Sequence, residues 1–307
     1  MAAVSVARFR GLFPIVHTPF SQAGEVDLDS LVRLAVHVCD CGAEGLVFPG
    51  FASEFWRLSE SETMECAECI LQANDGALPV ILNVTAQATV TAVRQAREFR
   101  RMGASALMVL PPFVVPVPPA TIESHLDQVL DAADLPVIVQ DSAGLTATNL
   151  DPAALARLKA RHANFTALKV DQVPTGPAVS RYRAAPELEG LSYIVGYSGV
   201  QMLDAVRRGA GALMGGCGHL AEDRKMLDAL LSADEERGYR EFARLSPLLN
   251  FEMQSLDMVI AVHKALLHDA GVITTPLCRA PCRTMDDIHA AELLLHWSAL
   301  REGGRAR

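Results

Sequence analysis

Phe165-Thr-Ala-Leu-Lys169-Val170 is a short apolar run that holds a single charge. Its length, its aromatic and β-branched residues and the helical stretches on either side predict a strand buried on both faces, as in a parallel sheet. An ammonium group in that setting must be paired, lose its proton or take part in chemistry, because an isolated buried charge is heavily penalised. At the carboxyl end of a barrel strand, a neutral Lys169 is a nucleophile whose natural product is a Schiff base with a ketone. The alternatives are a side chain that snorkels to solvent or one that pairs with a carboxylate such as Asp171.

Similar runs recur outward from this one in both directions, near Leu12–His17, Gly45–Phe48, Val80–Val84, Ala106–Leu110, Val137–Gln140, Tyr193–Val195 and Ala212–Met214. Amphipathic stretches separate them: Asp29–Cys41, Glu60–Asn74, Thr89–Met102, Pro119–Ala133, Asp151–Arg161, Pro177–Ala184, Gly199–Arg208 and Glu222–Leu231. Cap-like residues open several of these, as in Asp27-Leu-Asp29-Ser30, Ser59-Glu-Ser-Glu62 and Asn149-Leu-Asp151-Pro152. Eight strands, each followed by a helix, predict a (β/α)8 TIM barrel over residues 1–232. From 233 to 307 the pattern is helical only, at Asp234–Glu252, Leu256–Asp269 and Met285–Arg301, which predicts a C-terminal helical domain whose last residues, Gly303-Gly-Arg-Ala-Arg307, fray. Gly209-Ala-Gly-Ala-Leu-Met214 lacks the third glycine of a dinucleotide loop and comes too late in the alternation to be one.

The bulk properties suit such a chain. Half of its 307 residues are hydrophobic, 21% are charged, and the formal net charge is −9. A pI near 5.5 with no basic stripe argues against a nucleic-acid partner. Arg8 and Arg10 interrupt the amino-terminal apolar stretch, unlike a secretory signal, and no run is long enough to span a bilayer, so the expectation is a cytoplasmic protein with no membrane partner. Seven cysteines, an odd number, read as reduced thiols. Cys66-Ala-Glu-Cys69 has no second pair at zinc-binding spacing, and His17, His263 and His268 read as structural, so no metal is expected.

Reactive groups of a barrel gather at the carboxyl ends of its strands. Those ends carry Thr18, Gly50-Phe-Ala52-Ser53-Glu54, Pro111–Phe113, Gln140-Asp141, Lys169, Gly196 and Gly215-Gly216. One amine to condense with a ketone, beside backbone amides and a Ser53 hydroxyl to hold a carboxylate, makes a keto-acid kind of site. Gln140 and Asp141 directly end an apolar strand and point toward the barrel mouth, although a plain turn is the alternative. Each glycine has the competing explanation of a tight turn, and Glu54 that of a solvated first-turn carboxylate.

The sequences Leu12-Phe-Pro-Ile-Val-His-Thr18-Pro-Phe20, Gly50-Phe-Ala-Ser-Glu54-Phe-Trp-Arg-Leu-Ser59, Leu135-Pro-Val-Ile-Val-Gln-Asp141, Ala167-Leu-Lys169 and Gly209–Met214 resemble, in order, the landmarks of the dihydrodipicolinate synthase and N-acetylneuraminate lyase family. The resemblance implies a barrel with a C-terminal helical domain, a Schiff-base lysine at Lys169, no cofactor, and a homo-oligomer, commonly a tetramer built from dimers. It also exposes departures. The Gly-Thr-Thr-Gly-Glu loop of members that make dihydrodipicolinate is Gly50-Phe-Ala-Ser-Glu54 here. The family's relay tyrosine corresponds to Gln140, a second tyrosine supplied across the dimer to Phe113, and an aldehyde-anchoring arginine to Leu145. Amide, phenyl and isobutyl groups cannot shuttle a proton or anchor a carboxylate.

Gln140-Asp141, Ser53-Glu54 and Asn250-Phe-Glu252-Met-Gln254 resemble the branch containing 2-keto-3-deoxy-L-arabonate dehydratase. The implied activity is a hydro-lyase that acts on a small 2-keto-3-deoxy sugar acid. Lys169 would attack C2, Gln140 or Asp141 would orient hydroxyls or water, Ala52 and Ser53 would hold the carboxylate, and Gly196 and Leu213 would shape the iminium pocket. The base stays open among Asp141, a water and the lysine itself. The alternatives are a pyruvate-dependent aldolase and a keto-acid-binding protein without turnover.

Overall fold

The structure is a computed structural model that describes residues 8–146 and 148–303. The tail expected to fray lies outside them from 304 onward. Eight parallel strands run in the order β1-β8-β7-β6-β5-β4-β3-β2. They are β1 (Gly11–Leu12), β2 (Leu46–Phe48), β3 (Val80–Val84), β4 (Ala106–Val109), β5 (Val137–Asp141), β6 (Phe165–Val170), β7 (Ser192–Val195) and β8 (Ala212–Leu213). A parallel bridge between Ile15 and Val47 joins the two ends of this sheet, so it closes into a barrel. β1 is shorter than the six residues expected because Pro14 has no N–H to donate, yet its carbonyl still accepts from Val47 at 3.0 Å.

The helices are α1 (Leu28–Asp40), α2 (Glu60–Asn74), α3 (Thr89–Met102), α4 (Pro119–Ala133), α5 (Ala143–Thr146), α6 (Pro152–Arg161), α7 (Thr175–Arg183), α8 (Met202–Arg207) and α9 (Leu220–Leu231), followed by α10 (Glu235–Glu252), α11 (Leu256–Asp269) and α12 (Asp287–Gly303). The sequence caps form as the residue types dictate. Asp27 accepts from the Ser30 N–H, Asp151 from that of Ala154, and Ser59 with Glu62 closes a reciprocal capping box. Among the described residues, no helix is long and apolar enough to cross a membrane.

Period-two alternation divides the strand residues into two cores. Ile81, Met108, Ile138, Ala167, Ile194 and Met214 fill the barrel interior. Leu82, Val109, Val139, Leu168, Val195 and Leu213 face the helix layer. Beyond α9, the C-terminal helices are tied to the loop after β2. Lys264 of α11 donates to Glu54, and Arg57 bonds both Glu54 (2.8 Å) and Asp257 (2.7 Å). Arg279 holds Glu62 at 2.7 Å and draws that carboxyl down to about 2. Glu54 is therefore fully buried and structural, not a solvated carboxylate.

Candidate active site

Lys169 lies two residues past Ala167 and so points into the barrel, where it is 2% exposed. Asp171 follows on the same face, held by its N–H to the Asp141 carbonyl (2.8 Å). Its Oδ2 is 3.3 Å from Lys169 Nζ and accepts hydrogen bonds from Gln140 Nε2 (2.7 Å) and Ser142 Oγ (2.6 Å). The odd charge of β6 is thus paired, and the pair opens on a cavity of about 160 Å³. A carboxylate within reach of an amine can take its proton and expose the lone pair for attack on a carbonyl. Of the four lysines, only Lys169 lines that cavity. Lys264 is buried against Glu54, Lys159 donates to the Phe165 carbonyl (2.7 Å), and Lys225 pairs with Glu222 (3.0 Å).

Gly196, at the end of β7, gives this pair its room. A Cβ built there would fall 1.5 Å from Asp171 Oδ1 and 2.9 Å from Lys169 Cε, so any larger residue would displace both groups. After it the backbone turns sharply, with Tyr197 (φ 52°) and Ser198 (φ 49°) both in the left-handed region, and both residues line the cavity. Two adjacent non-glycine residues in that conformation are costly and concentrate at functional sites. Phe51, Ala52, Leu145 and Met214 add apolar walls, and Met253 to Ser255, between α10 and α11, form a roof with Leu256 at the start of α11.

The expected site residues divide. Gln140 joins the cluster as a donor to Asp171, and Ala52 lines the cavity near the start of a 3-10 turn, Phe51–Ser53, whose first amides have no partner within the turn. Ser53 is fully buried and its hydroxyl is committed elsewhere, donating to the Val16 carbonyl (2.5 Å) and accepting from Gly50 N–H (3.0 Å). Asp141 does not join the site. One residue past Gln140, it faces the helix layer, where its Oδ2 accepts from Tyr182 (2.5 Å) and Gln172 (2.6 Å). Burial lifts its carboxyl above the usual range despite those donors. Leu213 is likewise one residue out of phase and packs outward, and Met214 takes the place expected of it. Phe113 packs on Phe51 and Phe55, with ring centres 6.4 and 6.2 Å apart, and does not line the cavity. Asp171, Tyr197 and Ser198 were not singled out as site residues. Asp171 could have been, because two residues along a strand return to the same face.

A second buried polar cluster lies where β1 and β8 end beneath α10 and α11. His219 sits between Asp223 (3.1 Å from Nδ1) and Glu252 (3.1 Å from Nε2), and Glu252 also meets His263 Nε2 at 3.2 Å. Burial alone would lower the His219 pKa, but the two carboxylates overcome it and hold the ring well above its ordinary value. Burial would raise Glu252, yet the two histidines keep it ionised below the usual range. His17 stacks on His263 at 5.1 Å and contacts Cys217 Sγ at 3.1 Å. Desolvation, with His263 and Lys264 nearby, depresses its pKa.

Among the described residues, His219, Glu252 and His263 are the one group whose donor atoms are close enough for a metal ion. They do not suit one. His263 Nδ1 accepts from the Gly218 N–H (2.8 Å), which puts the ring proton on Nε2, the atom a metal would need.

Comparison with known proteins agrees with this geometry. The chain is 29% identical over 300 residues, covering 96% of it and 95% of its relative, to an L-2-keto-3-deoxyarabonate dehydratase of Azospirillum brasilense. It is also 29% identical over 288 residues to a 4-hydroxy-tetrahydrodipicolinate synthase of Streptomyces coelicolor, covering 92% of this chain and 91% of that one. The fold superposes on the crystal structure of a dihydrodipicolinate synthase from Rhodopseudomonas palustris with a TM-score of 0.89, at 22% identity over 97% of this chain and 100% of that one. Residues 8–296 match the sequence pattern of the Dihydrodipicolinate synthetase family, and with a closed barrel and an inward lysine on β6 in view, the chain belongs to that family.

Proposed function

We propose that this lyase-family protein forms a Schiff base through Lys169 with a small 2-keto acid and dehydrates a 2-keto-3-deoxy sugar acid. The observation that carries the reading is the Lys169–Asp171 pair, 3.3 Å apart and facing one cavity. Asp171 takes the proton from Nζ, and the amine adds to C2 of the keto acid. Asp171 then gives that proton to the C2 hydroxyl, which leaves as water, so that an iminium forms, the carboxylate is restored, and the iminium draws electrons from C3. The same carboxylate, held in place by Gln140 and Ser142 and backed by Gly196, removes the C3 proton to give an enamine. Expulsion of the C4 hydroxyl follows, and no cofactor is needed because the iminium is itself the electron sink. The substrate carboxylate sits at the Phe51–Ala52 amides, a role that the committed Ser53 hydroxyl does not share.

Retro-aldol cleavage by a pyruvate-dependent aldolase needs a base on the C4 hydroxyl. Gln140, Phe113 and Leu145 supply none at the positions where the family carries its relay and anchor, which favours elimination. We extend the reading to a cytoplasmic homo-oligomer, dimer or tetramer, with a barrel unit over 1–232 and a helical unit over 233–307. The exposed Trp56, Val114 and Val115 beside the barrel mouth suit burial between copies.

The test is borohydride reduction in the presence of pyruvate and of 2-keto-3-deoxy sugar acids. A mass increase confined to Lys169 is expected, and no adduct with any of them would sink both enzyme readings and leave keto-acid binding without turnover. Release of free pyruvate from a sugar acid would identify an aldolase instead of a dehydratase.

A further inference from the structure

Elimination by this site requires a proton for the departing hydroxyl, and in the Lys169–Asp171 cluster the one carboxyl that could give it, Asp171, is held beside Lys169 and engaged at C3. Gln140 and Ser142 each spend a donor on Asp171 Oδ2, and Gln140 occupies the position of the family's relay tyrosine. The chain has four tyrosines. Tyr182 is buried against Asp141 behind β5, Tyr193 packs into the outer core, and Tyr239 is exposed on α10. Tyr197 alone lines the cavity, from the end of β7, the strand that pairs with Lys169. It stands there in a left-handed conformation, next to a second left-handed residue that also carries a hydroxyl. A conformation that is costly for a residue with a side chain, repeated at two adjacent positions on the cavity wall, calls for a functional return.

We propose that Tyr197 is the catalytic acid that protonates the leaving C4 hydroxyl, and that Ser198 binds a hydroxyl of the same substrate. The inference rests on the dehydratase reading above. After Asp171 has taken the C3 proton, the enamine nitrogen lone pair forms the C2=N bond, and the C2=C3 pair becomes the C3=C4 bond. The C4–O bond then breaks, and the departing oxygen takes the Tyr197 phenolic proton and leaves as water. Asp171, now a carboxylic acid, returns a proton to the phenolate, so the net loss is one hydrogen from C3 and one hydroxyl from C4. Hydrolysis of the unsaturated iminium frees Lys169. The relay has thus moved from β5 to β7 while the lysine has stayed in place.

Tyr197→Phe keeps the ring and the backbone and removes only the acid. With a panel of five- and six-carbon 2-keto-3-deoxy sugar acids, its dehydration rate should fall on the order of 100-fold or more with KM nearly unchanged. With pyruvate in deuterium oxide, the same variant should retain borohydride trapping at Lys169 and exchange of the methyl protons, because those steps use only Lys169 and Asp171. Ser198→Gly suits the positive φ and should fold at least as well, so a rise in its KM for sugar acids but not for pyruvate trapping reports the hydroxyl. Dehydration by Tyr197→Phe within about threefold of the parent, or loss of exchange along with dehydration, would overturn the assignment. Failure of the unaltered protein to trap pyruvate would instead remove the Schiff-base reading, and exchange without dehydration of any sugar acid would remove the dehydratase reading. Either outcome would take this inference with it.

Discussion

Two buried polar clusters stand about the barrel mouth, and they solve the same electrostatic problem to opposite ends. Around Lys169, one carboxylate oxygen collects an amine, an amide and a hydroxyl while the group still faces a cavity. Around His219, the side chains of Asp223, Glu252 and His263 converge with none of the four lining that cavity, so the His219 ring and its carboxylates meet only one another and His263. A buried ionic group signals chemistry when part of its demand is left for a ligand, and architecture when its partners are all protein. The second cluster joins the barrel to α10 and α11, whose connection roofs the first.

The comparison breaks if either cluster behaves like the other. Lys169→Ala should give the largest effect, a loss on the order of 10⁴-fold or more in turnover with the fold intact by circular dichroism. Measurable trapping in that variant, at Lys159, Lys225 or Lys264, would show that the nucleophile has been misplaced. Asp171→Asn preserves the shape that fits Gly196 and should slow solvent exchange at C3 by roughly 10²- to 10⁴-fold, a rate readable by NMR with pyruvate. Glu252→Gln should do the reverse. Removing the carboxylate shared by two histidines should cost about 3–5 kcal/mol in denaturant unfolding while a folded sample still traps keto acid at the parent rate. A kinetic defect without a stability defect would place Glu252 in the wrong cluster.

The smallest effect is one of pH. Because the folded-state pKa of His17 is depressed, the unfolded chain takes up a proton below about pH 6.5 that the folded protein refuses, and stability falls there by about 1.4 kcal/mol per pH unit. His219 acts in the opposite direction. Its raised pKa contributes stability that is fully present below about pH 6.5 and is lost as pH rises through the folded value. His17→Phe should therefore flatten the acid limb of the stability profile by one proton and leave the alkaline limb alone. Parallel acid limbs in the two proteins would contradict a neutral His17.

What could be read in the sequence followed from how local the cause was. The strands β2 to β8 and the helices at Glu60–Asn74, Thr89–Met102, Pro119–Ala133 and Leu256–Asp269 rest on periodicity and caps within a few residues, and they appear where those signals put them, whereas β1 stops at Leu12 instead of running on to His17. Phase was harder. Gln140 and Asp141 both end a strand, but only one can face inward, and the same one-residue ambiguity exchanged Leu213 for Met214. Lys169 supplied its own phase, which is why Asp171 was within reach of the sequence. The His219 cluster was not. Its members come from four separate segments, and the contact between His17 and Cys217 alone spans 200 positions. The left-handed turn at Tyr197-Ser198 carries no glycine at either position to announce it.

The tie between Glu54 and Lys264 joins residues 210 positions apart, so the roof belongs to the last part of the chain to be made. A ribosome delivers the amino-terminal strands first, and the entropy lost in closing so long a loop grows only slowly with its length. During synthesis, Lys169 and Asp171 emerge before Met253 to Leu256 exist to cover them. For that interval the cavity side of the Lys169–Asp171 pair lacks the segment that lines it in the finished protein. The final quarter of translation is then the step that completes the cavity wall, and with it the shape that any ligand of the pair must fit.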